Sequence, residues 1–356
     1  MFLIGYNLSV NSNVSSPVWT YVPITTICTG SVTIILNVLV LCLLLRRENS
    51  ALPFTVYLIN LFLANILFVL LGNPLDVVYT LYGVWFMGEH LCTLYLYAYN
   101  VVTCAAVSAL ALITMNRLWA TAFPVHYRLH HNRRVACIVC LFTWLYAHIC
   151  MGPGIFLDAL YYRQPLDSNG CTINIDVASL RNWAIITQWI NFNIPVVFIL
   201  MGYFYILFKM QHRRNFTTQR SPDLDMSNSR MHSVSGVPDM KNAELDVSPR
   251  VASTSVVKHR RNVLMQRKFL VLTLLTWSNF INLMPAQVYY TVAFWVNLND
   301  YVTLWRVSII MMSANAALNP ILFGISMETV KESTRKLMRS LRRRVWPSVR
   351  AGSPPQ

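Results

Sequence analysis

The sequence predicts an all-α membrane protein: a seven-transmembrane-helix bundle followed by a short amphipathic helix on the membrane surface. Three observations carry that expectation. Only 12% of the residues are charged while 55% are hydrophobic, against about 25% charged in soluble domains. The apolar residues come in long blocks, each close to the ~20 residues that cross a bilayer as a helix. Basic residues avoid these blocks and crowd into alternate connecting segments. That asymmetry sets membrane topology and is not a phosphate-binding groove, so no nucleic acid is expected despite a net charge of +15.

The seven blocks cover residues 21–45, 53–79, 91–123, 135–157, 183–208, 269–296 and 301–325. The third and sixth are long enough to tilt or to project beyond the bilayer. Orientation follows from the connecting segments. With residues 1–20 outside, the inner side holds Arg46, Arg47, Arg128, Arg133 and Arg134, a denser third inner loop and a basic tail. The outer side keeps Arg163, Arg181 and Arg306. The N-terminus is therefore expected to be extracellular and the chain a multi-pass plasma-membrane protein. Residues 1–17 lack the basic n-region and apolar core of a cleavable signal peptide. They carry glycosylation sequons at Asn7 and Asn13, which make a glycoprotein the expectation.

Residues 21–212 then hold the first five helices, and 259–325 the sixth and seventh. Between them, 213–258 is polar, lacks an apolar period and is broken by Pro222, Pro238 and Pro249; it reads as a disordered third intracellular loop. Within 326–344, Val330, Leu337, Met338 and Leu341 fall near one helical face and Lys331, Arg335, Lys336 and Arg339 off it. That pattern fits a helix lying on an anionic inner leaflet, with membrane lipids as partners, before a tail at 345–356.

Several functions are disfavoured. The eight cysteines include a single Cys-x2-Cys pair, Cys137 and Cys140, with no second pair to complete a metal site, so neither a metal nor a cofactor is expected. The spans hold no His/Asp/Glu or Ser/Lys constellation, which argues against an enzyme. No acid lies deep in any span and no internal repeat is visible, which weighs against a proton pump or an ion-coupled transporter.

Landmarks inside the spans narrow the reading. Asn37 lies mid-way in the first, and Asn60-Leu61-Phe62-Leu63-Ala64-Asn65 in the second. Cys92 opens the third and Asn116-Arg117-Leu118 closes it; Pro124, Trp144, Pro195 and Tyr203 follow, and Asn319-Pro320-Ile321-Leu322-Phe323 ends the seventh. In this order and spacing the chain resembles the rhodopsin-family (class A) G-protein-coupled receptors along nearly its whole length. The resemblance implies a disulfide between Cys92 and Cys171 across an oxidising exterior. Pro74, Pro153, Pro195, Pro285 and Pro320 each remove a backbone hydrogen bond and bend their helix. For the sixth helix, the spacing of Pro285 from Arg267-Lys268 and from Pro320 sets the register. Leu283 then stands at the family's tryptophan switch, and Trp277 is expected as a packing residue two turns deeper.

The departures from the family pattern matter as much. Asn65, Ala106 and Ala316 stand where the family places the acid and hydroxyls of a sodium site, so the charge a hard cation wants is gone. Asn116 replaces the acid beside Arg117 and offers a neutral hydrogen bond in place of a charge-assisted one. Tyr99 replaces the aspartate of amine receptors, and Ser313 the lysine of retinal-binding opsins. The resemblance implies a receptor carrying an extracellular ligand's binding to a heterotrimeric G protein, with arrestin as a further partner and high basal activity as a consequence of the lost restraints. Ligand-lining residues by register are Tyr99, Thr103, Gln188, Asn191, Gln287 and Tyr290, with Asp76 at the rim, a set that suits a largely neutral small molecule. Coupling and switching fall to Asn116, Arg117, Pro124, Val125, Tyr203, Asn319, Pro320 and Phe323. The alternatives are a peptide receptor of the same family, or a seven-span structural or chaperoning protein that does not signal.

Overall fold

The computed structural model describes residues 16–45, 53–231, 274, 277–296, 302–326, 335 and 339, giving the backbone alone at 168–169, 213–231, 302 and 325–326. Among these residues six helices are long and apolar enough to cross a membrane: Tyr21–Leu44, Pro53–Tyr82, Glu89–Ala122, Arg133–Tyr162, Ala178–His212 and Thr303–Gly324. Residues 277–292 form a further helix in the sixth apolar block. No strand occurs among the described residues.

The burial pattern is that of a protein dissolved in lipid. Ile35, Leu141, Phe142 and Phe208 stand exposed on the outer surface of the bundle. Asn37, Asn65, Asn100, Gln188 and Asn319 are buried. Hydrocarbon solvates the apolar side chains, whereas polar groups find partners between helices. The third span is the axis of the bundle: 72% of its apolar window is buried, against 28–50% for the others. It packs on the second, fourth and fifth spans, while the first closes against the second and seventh. Asn37 shows how that seam is held. Its amide donates to Thr33 O at 2.7 Å and to Ala316 O at 3.1 Å, and its Oδ1 accepts from Asn65 Nδ2 at 3.1 Å.

Four boundaries differ from the sequence expectation. The second span divides into Pro53–Leu71 and Asn73–Tyr82, because Gly72 and Pro74 interrupt the ladder; Pro74 then sits at the start of the new helix, where its missing N–H costs nothing. The fourth span runs on from Leu157 through a wider π turn, Asp158–Tyr162. The fifth begins at Ala178 and passes through a second π turn, Trp189–Asn193, just ahead of Pro195. It then continues as one helix, Ile194–Met231, so residues 213–231 are helical where a disordered loop was expected. Once nucleated inside the bundle, a helix gains one hydrogen bond per added residue, which favours its extension. The rest of that loop, the Asn7 and Asn13 sequons and most of the 326–344 segment lie outside the described residues; Arg335 and Arg339 are helical and exposed.

Candidate functional site

At one end of the bundle Cys92 and Cys171 form a disulfide, with Cα atoms 5.5 Å apart and both residues fully buried. Beside it lies an ion pair that the sequence reading missed. The π turn directs Asp158 inward, where its Oδ2 accepts from Arg163 Nε and its Oδ1 from the Asn174 backbone N–H at 2.9 Å. Arg163 Nη1 reaches Cys92 Sγ at 2.9 Å. Asp158 is fully buried and the Arg163 side chain 6% exposed. The pair thus clamps the end of the fourth span to the loop that carries Cys171. Nothing in the spacing Asp-x4-Arg distinguishes it from two solvated charges.

The residues expected to line a ligand cavity fall into three groups. In the first, Tyr95 donates to Asp76 Oδ1 at 3.0 Å, Tyr99 hydrogen-bonds Tyr290, and Trp305 Nε1 donates to the Tyr290 hydroxyl at 3.0 Å. The Trp85, Tyr95, Tyr99 and Phe68 rings continue this layer with centroids 5.2–5.9 Å apart. Asp76 pairs with no cation among the described residues.

The second group joins the fifth and sixth spans. Gln188 Nε2 donates to Gln287 Oε1 at 2.9 Å and to Asn193 Oδ1 at 3.2 Å, and Asn193 Nδ2 donates to Thr291 Oγ1 at 2.8 Å. The Trp189–Asn193 π turn shifts the helix phase so that Asn191 is buried and Asn193 reaches across. Three atoms here are buried without a partner: Gln188 Oε1, Asn191 Oδ1 and Gln287 Nε2. Such groups cost about 1–3 kcal/mol each unless something satisfies them.

Thr103 belongs to the third group, deeper between the second, third, sixth and seventh spans. A cavity of about 50 Å³ is lined there by Asn65, Thr103, Ala106, Leu283, Asn315 and Asn319, among others. One water needs roughly 10–15 Å³ of such space, so a few fit. Thr103 Oγ1, Asn315 Oδ1 and Asn319 Oδ1 are buried without partners at this cavity. Leu283, which the Pro285 register places at the switch position, lines this cavity together with Asn65, Ala106, Ser313 and Ala316. Trp277 does not pack inside as expected: it is 55% exposed on the bundle surface against Phe280, because its position on the helix faces lipid.

At the opposite end, Arg117 and Asn116 part company. The Arg117 guanidinium stacks on the Phe54 ring, 3.5 Å from its centroid, a cation–π contact. Asn116 turns away and places Nδ2 2.9 Å from His131 Nε2, while Tyr127 donates to its Oδ1 at 3.4 Å. The sequence reading did not include His131 in the site. Tyr203 is buried beside Arg117, Phe323 packs edge-on against Phe62 at 6.3 Å, and Pro320 is buried with Asn319. Pro124 starts a short helix, Pro124–His130, and Val125 on it is 71% exposed.

Comparison with known proteins agrees with this arrangement. Residues 36–323 match the profile of the family described as "7 transmembrane receptor (rhodopsin family)". The chain is 27% identical over 192 residues to cysteinyl leukotriene receptor 1 of Cavia porcellus, covering 52% of this chain and 56% of that one. It is 26% identical over 235 residues to the alpha-2B adrenergic receptor of Erinaceus europaeus, covering 65% and 58%. The chain thus spans a little over half the length of these curated relatives.

Proposed function

The chain belongs to the rhodopsin family of seven-transmembrane receptors, and from that premise we propose that it transmits binding of an extracellular ligand to a heterotrimeric G protein. It is a multi-pass plasma-membrane protein of a receptor family, not an enzyme. In this reading the disulfide end is extracellular and receives the ligand, and the Arg117 end faces the cytoplasm. The ligand shifts an existing equilibrium by binding the active arrangement more tightly. Val125 is the apolar anchor for the G protein, and arrestin and inner-leaflet lipids meet the same basic surface.

The observation that carries the reading is the pair of features at the cytoplasmic end. Arg117 has no carboxylate partner among the described residues, and Val125 is exposed on the short helix that follows the third span. Loss of an ionic restraint on Arg117 supports measurable ligand-independent signalling. At the other end, the unpartnered amide atoms of Gln188, Asn191 and Gln287 supply both donors and acceptors without charge, which suits a small neutral ligand. Tyr99, Tyr290 and Asp76 form its floor and rim, and Thr103 lies below.

A screen of neutral small molecules, amines and peptides, read by arrestin recruitment, tests the ligand class. Neutral small molecules should activate, and Gln188→Ala and Gln287→Ala should each weaken them. Activation confined to peptides or to amines, or hits indifferent to both variants, would count against it.

A further inference from the structure

One buried titratable side chain has no part in the scheme so far. His131 sits where the Pro124–His130 helix meets the fourth span, and it is 9% exposed. The short helix ends there because His131 leaves helical geometry, with φ −91° and ψ 110°. Asn132 then caps the fourth span by accepting from the Val135 backbone N–H at 3.0 Å. Two helices therefore hinge on this residue, and its ring is folded back under the first. His131 Nε2 lies 2.9 Å from Asn116 Nδ2 on the third span and 3.1 Å from the Tyr57 hydroxyl on the second. The ring stacks on Tyr127 at 4.6 Å and meets Trp119 edge-on at 5.7 Å.

Both groups at Nε2 can donate, Asn116 through its amide and Tyr57 through its hydroxyl. An unprotonated Nε2, and so a neutral ring with its proton on the unpartnered Nδ1, offers one lone pair that the two donors share. The groups packed around it are Tyr57 from the second span, Asn116 and Trp119 from the third, and Tyr127 from the short helix. Cys137 and Cys140 of the fourth span stand beyond Tyr57, and the chain neighbours Arg128, His130, Arg133 and Arg134 are bases. Among the described residues no carboxylate pairs with it. Burial alone pushes its pKa below the usual 6.5.

We propose that His131 is a positioning residue: its neutral ring latches the helix carrying Val125 to the second and third spans, and a proton on Nε2 releases that helix. The proton turns the Asn116 contact into donor facing donor, makes the Tyr57 hydroxyl reverse from donating to accepting, and leaves a charged ring buried with no carboxylate beside it among the described residues. The importance of the latch for coupling rests on the function proposed above; the latch itself does not. The sign follows from the lowered pKa. The latch is fully present above 6.5 and is lost as pH falls through the lower folded-state value, about tenfold per pH unit beyond it.

The test is amide hydrogen exchange of residues 119–131 in the purified full chain, comparing variants at the same pH, near pH 7.5 and near pH 5, the range in which histidine titrates. His131→Gln keeps an acceptor near Nε2 but does not titrate; His131→Phe keeps the stacking ring without any acceptor. Wild type and His131→Gln should exchange alike at the higher pH. At the lower pH the wild-type segment should exchange several-fold faster than His131→Gln. His131→Phe should be fast at both. If wild type and His131→Gln coincide at both pH values, or His131→Phe is as protected as wild type near pH 7.5, the latch is refuted. Because no G protein is present, either outcome is independent of whether the chain signals.

Discussion

Truncating Asp158 to alanine probes the outer clamp with a loss that can be worked from the structure. The carboxylate is fully buried and used twice, by the Arg163 guanidinium and by the Asn174 N–H at 2.9 Å. Asp158→Ala leaves the guanidinium of a 6%-exposed side chain without its counter-charge, at a cost of about 3–5 kcal/mol. The abandoned Asn174 donor adds at least about 1 kcal/mol. A loss of about 4–6 kcal/mol is comparable to the whole stability of many domains, ~5–15 kcal/mol, so delivery to the surface should largely fail. Asp158→Ala with Arg163→Met removes the stranded charge and should recover most of the loss, leaving about 1–2 kcal/mol for the donor. Thermal inactivation of purified protein and surface density of a tagged chain read both effects. A single variant within about 1 kcal/mol of wild type, or a double variant no better than the single, would refute the clamp as described.

Three further outcomes follow from other parts of the bundle. Cys92→Ala and Cys171→Ala should each reduce surface delivery, and together do no more harm than either alone, since they are halves of one bond; additive losses would contradict this. With Asn65, Ala106 and Ala316 at the central cavity, ligand affinity should respond to sodium no differently than to potassium at equal ionic strength; a sodium-specific loss would show a cation site. Asn116→Asp places a carboxylate where the amide now stands 2.9 Å from His131 Nε2; it draws the ring proton to Nε2 to gain a donor and should lower ligand-independent signalling. It should also stabilise the purified receptor by about 1.5–3 kcal/mol through a charge-assisted bond. Both effects should vanish in a His131→Phe background, which leaves the carboxylate no donor at that position. Effects that survive there would mean the carboxylate reaches Arg117 instead.

The spans were legible because lipid rewards long apolar blocks; Leu283, which proline spacing placed at the switch position, lines one cavity with Asn65 and Ala106. What stayed hidden depends on helix phase and on tertiary contact. The two π turns each insert a residue into a ladder, and nothing in Asp158–Tyr162 or Trp189–Asn193 announces it in sequence. Asp158 and Arg163 look like loop charges until the π turn points one of them inward. His131 looks like one base among several near Arg133, and its burial arises from Tyr57, which lies 74 residues away. Asn116 was expected to face Arg117 because the two are adjacent. On a helix, adjacent residues diverge, and each found its own partner. Trp277 was expected to pack two turns below Leu283 on the proline register, whereas in lipid a large apolar ring is equally at home on the surface.

The most direct test of the central claim is nucleotide exchange across a panel of heterotrimeric G proteins in membranes from surface-matched cells. Wild type, Arg117→Ala and Val125→Ala would be compared with and without any activating ligand found by arrestin recruitment. The account predicts exchange above receptor-free membranes for wild type with at least one G protein, abolished by Arg117→Ala and reduced by Val125→Ala. Exchange at the receptor-free level across the panel, or exchange that Arg117→Ala leaves intact, would contradict it and favour a seven-span protein that does not signal.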